Sequence, residues 1–170
     1  MGARVTGIAR VPGKEILLAV SDADGKLSLV EVSETGTSKV RRTWDLKGQV
    51  TTGPFVRTVG TETRIGCIVD RSRLVWIDPA NKKLLWDYTT PGKAAIVGVP
   101  HLADALVVVA DQGGRYVGII EKTGKPAGKG YQLRGSIAAV ASPVPFQKDR
   151  LLAPLSDGTM MLLGVAKLRE

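Results

Sequence analysis

Residues that could serve as nucleophiles, general bases or soft metal ligands are few in this sequence and stand apart from one another. Cys67 is the only cysteine and His101 the only histidine among 170 residues. Catalytic triads and zinc sites need several such groups within bonding distance. We therefore expect Cys67, inside the apolar run 65–69, to be a core residue. We expect His101, which follows Pro100 at a predicted strand end, to be exposed and structural.

Carboxylates could instead bind calcium, which takes several converging oxygen ligands. The aspartates fall in short polar segments, where a turn-forming role is a sufficient explanation because Asp side chains hydrogen-bond to nearby backbone. These residues are Asp22, Asp24, Asp70, Asp111 and Asp157. Neither Gly113-Gly114 nor Gly128-Lys129-Gly130 lies between a strand and a helix, as a phosphate-binding loop requires. The sequence thus predicts no catalytic, cofactor-binding or metal-binding residue, and no cofactor.

The charge pattern indicates a solvated basic surface. The formal net charge is +8, but Lys and Arg are scattered, without the long basic run of a nucleic-acid or membrane arm. Aromatic residues make up only 5%, which argues against a stacking surface for single-stranded nucleic acid. An anionic partner remains the alternative.

Targeting signals are not evident either. No apolar stretch approaches the roughly 20 residues that span a bilayer, and the first residues lack the apolar segment of a signal peptide. We expect a soluble chain of unknown compartment, and we keep open that it is a piece of a longer protein.

The elements that would position any site come from an internal repeat. Four segments share one plan: an apolar strand, a turn rich in Asp and Gly, and a second apolar strand, which is the pattern of a β-hairpin. The second strands align at spacings of 47, 43 and 44 residues on Leu27, Leu74, Val117 and Met161.

Outer strands recur as well. A strand before each hairpin is predicted to end near a proline, because proline cannot donate to a sheet ladder; the prolines are Pro12, Pro54, Pro100 and Pro143. A strand after each of the first three hairpins carries an aromatic residue, namely Trp44, Trp86 and Tyr131. Four strands every 42 to 47 residues is typical of a β-propeller blade.

The central strands are apolar almost throughout, which indicates that both faces are covered, as between stacked blades. We therefore predict one all-β, β-propeller-like domain over 1–170, with essentially no helix and about four blades of antiparallel strands. The predicted blades span approximately 5–46, 50–90, 94–133 and 135–165, the last without its outer strand. The tryptophans are predicted to pack between blades, with a ligand surface as the alternative.

A short motif adds a family resemblance. Glu121-Lys122-Thr123-Gly124-Lys125, and Asp78 to Lys82 followed by Trp86, share an acidic residue, two variable positions and a Gly-Lys pair, with Asn81 replacing the glycine in the second. This pattern resembles the repeat of pyrroloquinoline-quinone-like (quinoprotein-type) β-propellers, and the resemblance covers nearly the whole chain. The Trp-Asp dipeptides at 44–45 and 86–87 give a second resemblance, to WD40 propellers, whose glycine-histidine signature is missing.

The resemblance implies a ring of six to eight blades, whereas this chain supplies four at most. Quinoprotein dehydrogenases of this fold pair a quinone cofactor with calcium, an adjacent cysteine pair and a catalytic aspartate, and a single cysteine cannot form that pair. We expect either half of an eight-bladed ring completed by a second copy, or a fragment, with a compact monomer as the competing arrangement.

Three functions follow as hypotheses. The first is a non-catalytic scaffold or protein-binding module, with a protein partner that includes a second copy of the chain. The second is a quinoprotein-type enzyme or cofactor-binding domain completed by other blades. The third is recognition of an anionic polymer by the basic surface.

Overall fold

Four antiparallel sheets make up the described part of the chain. The computed structural model describes residues 3–13, 15–134, 139, 143–147 and 149–170. Contacts divide the chain into two compact units, Met1–Asp87 and Tyr88–Glu170. Within the described part no α-helix occurs, and the helical content is two short 3₁₀ segments, Pro91–Lys93 and Val165–Leu168. The predicted all-β class is confirmed.

The first unit contains two four-stranded sheets whose strands follow one another in chain order. The first sheet is formed by β1 (Val5–Val11), β2 (Ile16–Asp22), β3 (Lys26–Val32) and β4 (Ser38–Asp45). The second sheet is formed by β5 (Val50–Val59), β6 (Glu62–Val69), β7 (Arg73–Asp78) and β8 (Lys83–Thr89). Such a meander is the strand order that the repeat predicts for a blade.

The second unit contains a four-stranded and a three-stranded sheet. The third sheet is formed by β9 (His101–Ala103), β10 (Leu106–Ala110), β11 (Arg115–Ile120) and β12 (Tyr131–Gln132). The fourth sheet is formed by β13 (Val144–Gln147), β14 (Arg150–Pro154) and β15 (Met160–Gly164). The predicted blade boundaries and the single-domain organisation remain predictions.

The central hairpins have the same geometry in all four sheets. In each, one facing residue pair encloses five residues, namely Ser21–Leu27, Ile68–Leu74, Ala110–Tyr116 and Pro154–Met160. The sequence alignment on Val117 and Met161 was therefore wrong by one residue, and Tyr116 and Met160 are the structural equivalents of Leu27 and Leu74. Since side chains alternate between faces, this single step exchanges the two faces of the strand.

Three of the four prolines contradict the predicted strand ends. Pro12 directly follows β1, as predicted, but Pro54 lies inside β5, at a register irregularity in its pairing with β6. Pro100 and Pro143 directly precede β9 and β13. An irregularity and the position just before a strand both spare the sheet the missing N–H donor, which is why proline is accepted there too.

Each unit has its own apolar core between its two sheets. In the first unit the core includes Ala19, Leu27 and Leu29 from the first sheet and Cys67 and Val75 from the second. In the second unit it includes residues of both sheets and of the last 3₁₀ segment, namely Leu106, Val108, Tyr116, Leu151, Ala153, Leu163 and Leu168. Strand residues supply nearly all of this core, because a sheet must bury one face to be stable.

Candidate interaction surfaces

Cys67 and His101, the only cysteine and the only histidine of the sequence, both lie in strands. Cys67 is fully buried in the core of the first unit, as predicted, and burial raises the pKa of its thiol to about 12. His101 begins β9 and faces Val108 of β10. It is half-buried, so the expectation of an exposed histidine was wrong, because strand pairing covers part of the residue.

Three turn aspartates have the predicted role. Asp22 Oδ1 accepts hydrogen bonds from the backbone N–H groups of Asp24 (3.0 Å) and Lys26 (2.9 Å). Asp111 Oδ1 accepts a hydrogen bond from the Arg115 backbone N–H (3.1 Å), and Asp157 Oδ1 accepts one from the Thr159 backbone N–H (3.0 Å). Side-chain acceptors of this kind hold the chain in the turn.

Asp70 makes a longer connection. Its Oδ1 accepts a hydrogen bond from the backbone N–H of Gln49, at 2.8 Å, and so links the β6–β7 turn to the segment entering β5. Over the described residues, no group of three or more His, Cys, Asp or Glu side chains could hold a metal ion.

The tryptophans pack internally. Trp76 is fully buried and stacks on Trp86, with ring centroids 5.5 Å apart and planes inclined by 15°. Phe55 packs against the same ring at 6.3 Å. Trp44 belongs to the core between the first and second sheets. These contacts favour the structural role over a ligand surface.

A cleft of about 300 Å³ opens within the first unit. One side is apolar and the other carries a buried arginine, Arg64, whose side chain is 8% exposed. The Arg64 guanidinium forms an ion pair with Glu62 and lies 3.7 Å from the Asp78 carboxylate. Sequence reasoning missed Arg64; the available signal was a cation at the start of the apolar run 65–69.

Asp78, one of the two carboxylates beside Arg64, also organises the neighbouring turn. Asp78 accepts hydrogen bonds from the Asn81 backbone N–H (3.0 Å) and from its Nδ2 (2.8 Å). Burial tends to raise the pKa of Asp78, but the Asn81 hydrogen bonds and Arg64 together hold it below its ordinary value. The Asp–Asn pair of the repeat motif thus has a structural role, since it closes the turn after β7 and holds a buried cation.

The outer face of the fourth sheet is apolar and exposed. Val144 faces Leu152, Leu152 faces Leu162, and Pro154 faces Met160, so these side chains lie on one side of the sheet. Met160 is 60% exposed and Leu162 is 45% exposed. We call this set of five residues the fourth-sheet face.

The first sheet has a comparable surface. Ile8 faces Val20 across β1 and β2, and Leu18 faces Val30 across β2 and β3. Ile8 is 61% exposed, and the other three side chains are half-buried. We call these four residues the first-sheet face.

Basic residues collect along one strand of the first sheet. Lys39, Arg41 and Arg42 are all exposed on β4, which lies at the end of the strand order. Arg41 pairs with Glu31 of β3. Charged side chains on an edge strand discourage further strand pairing.

Comparisons with known proteins show the fold. No protein-family model matches the chain, and no curated protein sequence matches it either. BamB from Moraxella catarrhalis is similar in structure, with a TM-score of 0.67 and 17% identity over 95% of this chain and 47% of that chain. The computationally designed Ika4 protein gives a TM-score of 0.61 and 15% identity over 97% of this chain and 93% of that chain.

A third similar structure is BBS1N in complex with ARL6DN, with a TM-score of 0.59 and 15% identity over 93% of this chain and 46% of that chain. The chain therefore spans about half the length of BamB and BBS1N. These similarities define the class of the protein as all-β and β-propeller-like. The pyrroloquinoline-quinone-like family stays a prediction. Along the described residues no helix is long and apolar enough to cross a membrane.

Proposed function

We propose that this chain is a non-catalytic β-propeller scaffold that binds protein through the exposed faces of its sheets. The observation that carries the proposal is the fourth-sheet face, where the side chains of Met160 and Leu162, both on β15, are exposed to solvent. Contiguous apolar surface of this kind marks protein interaction sites in soluble proteins. A protein partner would cover it and gain the burial energy.

The fold-level neighbours are compatible with this role. BBS1N, a similar structure, was solved in complex with ARL6DN, so a propeller-like chain of this kind can hold a protein partner. Function is carried by particular surfaces and not by the fold, so the support is for the class of role alone.

The scaffold proposal is tested by a pull-down with the immobilised chain at low and high salt. We expect a protein to be retained at both salt concentrations, because apolar burial is not screened by ions. Leu162→Glu should abolish retention. Leu84→Glu, at an equally exposed leucine on β8, should leave it unchanged. Retention that both variants preserve would contradict the proposal.

A quinoprotein-type enzyme completed by other blades is the alternative of a different class. A bound quinone absorbs visible light, so a cofactor spectrum in the purified protein would favour the enzyme. Protein with no such spectrum after incubation with quinone and calcium would favour the scaffold.

Anion binding by the exposed basic residues of β4 is the third candidate. The net charge of +8 and the side chains of Lys39, Arg41 and Arg42 favour it. Its signature is binding that falls steeply with salt, because neutralised phosphates or sulfates release counterions. Equal retention on DNA and on a simple anionic matrix would indicate charge alone.

A further inference from the structure

We propose that the fourth-sheet face of one copy docks on the first-sheet face of a second copy of this chain. The inference rests on the proposed scaffold function, for which it names the partner.

The first observation is a contrast in burial at one repeated position. In each hairpin, one facing residue pair has five residues between its two members. Leu27, Leu74 and Tyr116 are the second members of this pair in the first three sheets, and all three are fully buried. Met160 occupies the same position in the fourth sheet and is 60% exposed. An apolar residue thus occupies the position where the other sheets have a buried one, and the described residues leave it exposed.

The next position on the same face repeats the contrast. Leu29 and Trp76 are buried, at 3% and 0% exposure, whereas their equivalent Leu162 is 45% exposed; the third sheet has Gly118 at this position. Two adjacent positions therefore show that the fourth-sheet face has the composition of a sheet-to-sheet interface.

The two cores show what kind of surface covers such a face. In the first unit, the Leu27 side of the first sheet packs on Ile65, Cys67 and Ile77 of the second sheet. In the second unit, the Tyr116 side of the third sheet packs on the fourth sheet's facing residues Leu151, Ala153 and Leu163. Both covering surfaces use the opposite side of the hairpin from Leu27 and its equivalents.

The first sheet presents this covering surface to solvent. Its pair Leu18–Val30 corresponds to Ile65–Ile77 of the second sheet, and Val20 corresponds to Cys67. All three residues of the first sheet are only half-buried. Among the residues that the structure describes, one face of each kind is therefore uncovered in one chain.

These two kinds of face select a second copy as the occupant. In one contact, the fourth-sheet face of the first copy packs on the first-sheet face of the second copy. In the other contact, the fourth-sheet face of the second copy packs on the first-sheet face of the first copy. Two such head-to-tail contacts close when the rotation between copies is two-fold. This chain spans 47% of BamB and 46% of BBS1N, which is compatible with a chain that pairs with a second copy.

The test is the solution mass of the full chain by light scattering across a concentration series. We expect a mass twice 18.0 kDa for the wild type. Ile8→Glu and Met160→Glu, each at the most exposed residue of its face, should each reduce the mass to that of one chain. Leu84→Glu should keep the doubled mass, and far-UV circular dichroism should show that every variant retains its strands.

Mixing the two face variants makes the test directional. Ile8→Glu retains an intact fourth-sheet face and Met160→Glu an intact first-sheet face, so their mixture should form a pair that neither forms alone. If Met160→Glu loses its strand signal, Met160→Thr at the same position replaces it in both experiments.

The outcomes separate this inference from the scaffold proposal. A wild type with the mass of one chain at every concentration, or a doubled mass that both face variants preserve, overturns the second copy as partner. If a monomeric wild type retains a different protein in the pull-down, and Leu162→Glu abolishes that retention, the scaffold function stands and that protein is the partner of the fourth-sheet face. If neither mass nor binding responds to the faces, both proposals fail.

Discussion

Replacing Leu27 by alanine should strongly destabilise the first unit. Leu27 is fully buried in the core of this unit. It faces Ser21 of β2 on one side and Trp44 of β4 on the other, so its strand is paired along both edges. The substitution removes three carbon atoms, worth about 2.4 kcal/mol at about 0.8 kcal/mol per buried methylene. Because the paired backbone limits collapse into the gap, a cavity cost adds to this, for a total of about 3–4 kcal/mol.

Tryptophan fluorescence during urea unfolding measures this loss selectively. The protein has three tryptophans, and Trp44, Trp76 and Trp86 all lie in the first unit. With a urea dependence of about 2 kcal/mol per molar, the midpoint should fall by roughly 1.5–2 M. Far-UV circular dichroism follows both units together and shows whether their transitions separate.

Met160→Ala is the matched control, since it truncates the equivalent hairpin position where the side chain is exposed. At concentrations where light scattering gives the mass of one chain, we expect a change within about 0.5 kcal/mol. A cost below about 1 kcal/mol for Leu27→Ala, or an equal cost for Met160→Ala, would refute the assignment of buried and uncovered faces.

Three further substitutions or treatments test the local structure. Gly25→Ala should cost about 2–4 kcal/mol, because φ is +78° and the new Cβ would overlap the Gly48 carbonyl oxygen, whereas Gly36→Ala, at φ +82° in open space, should cost only about 1 kcal/mol by the same urea assay. The Cys67 thiol, whose pKa burial raises to about 12, should resist a thiol reagent at pH 8 until denaturant is added; rapid labelling of the folded chain would contradict its burial. Since the pKa of Asp78 is lower in the folded than in the unfolded chain, its contribution to stability is present above about pH 4 and is lost as the pH falls through the folded pKa. Asp78→Asn should therefore weaken the acid dependence of the tryptophan-monitored transition, and an unchanged dependence would count against it.

The hairpins could be predicted from sequence because their turns carry a local signal. Asp and Gly between two apolar runs reveal a reversal, and the side-chain acceptors of Asp22, Asp111 and Asp157 act within a few residues. The register could not be predicted as securely. In β11 the residues after Arg115 are Tyr116, then Val, Gly, Ile and Ile, so apolar character gives no alternation between faces. An alignment shift to Val117 therefore carries no visible penalty in sequence.

Contacts between residues far apart in the chain were harder to predict from the sequence. Nothing in the segment around Gln49 indicates that its backbone N–H meets Asp70, 21 residues later. The same holds for Arg64, which reads as a strand-flanking cation in sequence but is buried beside two carboxylates in the structure. Such contacts form only when strands that are separate in the chain pair within the second sheet.

The candidate surfaces are the part that sequence could not locate, and Leu29 and Leu162 show why. Both are leucines at the same position of equivalent hairpins, yet one is 3% exposed and the other 45%. These two hairpins have an apolar residue at this position whether or not a neighbouring sheet covers it. Whether that residue becomes core or docking surface depends on what packs against the sheet, so the chemistry of an interior contact and of a binding surface is the same in this chain.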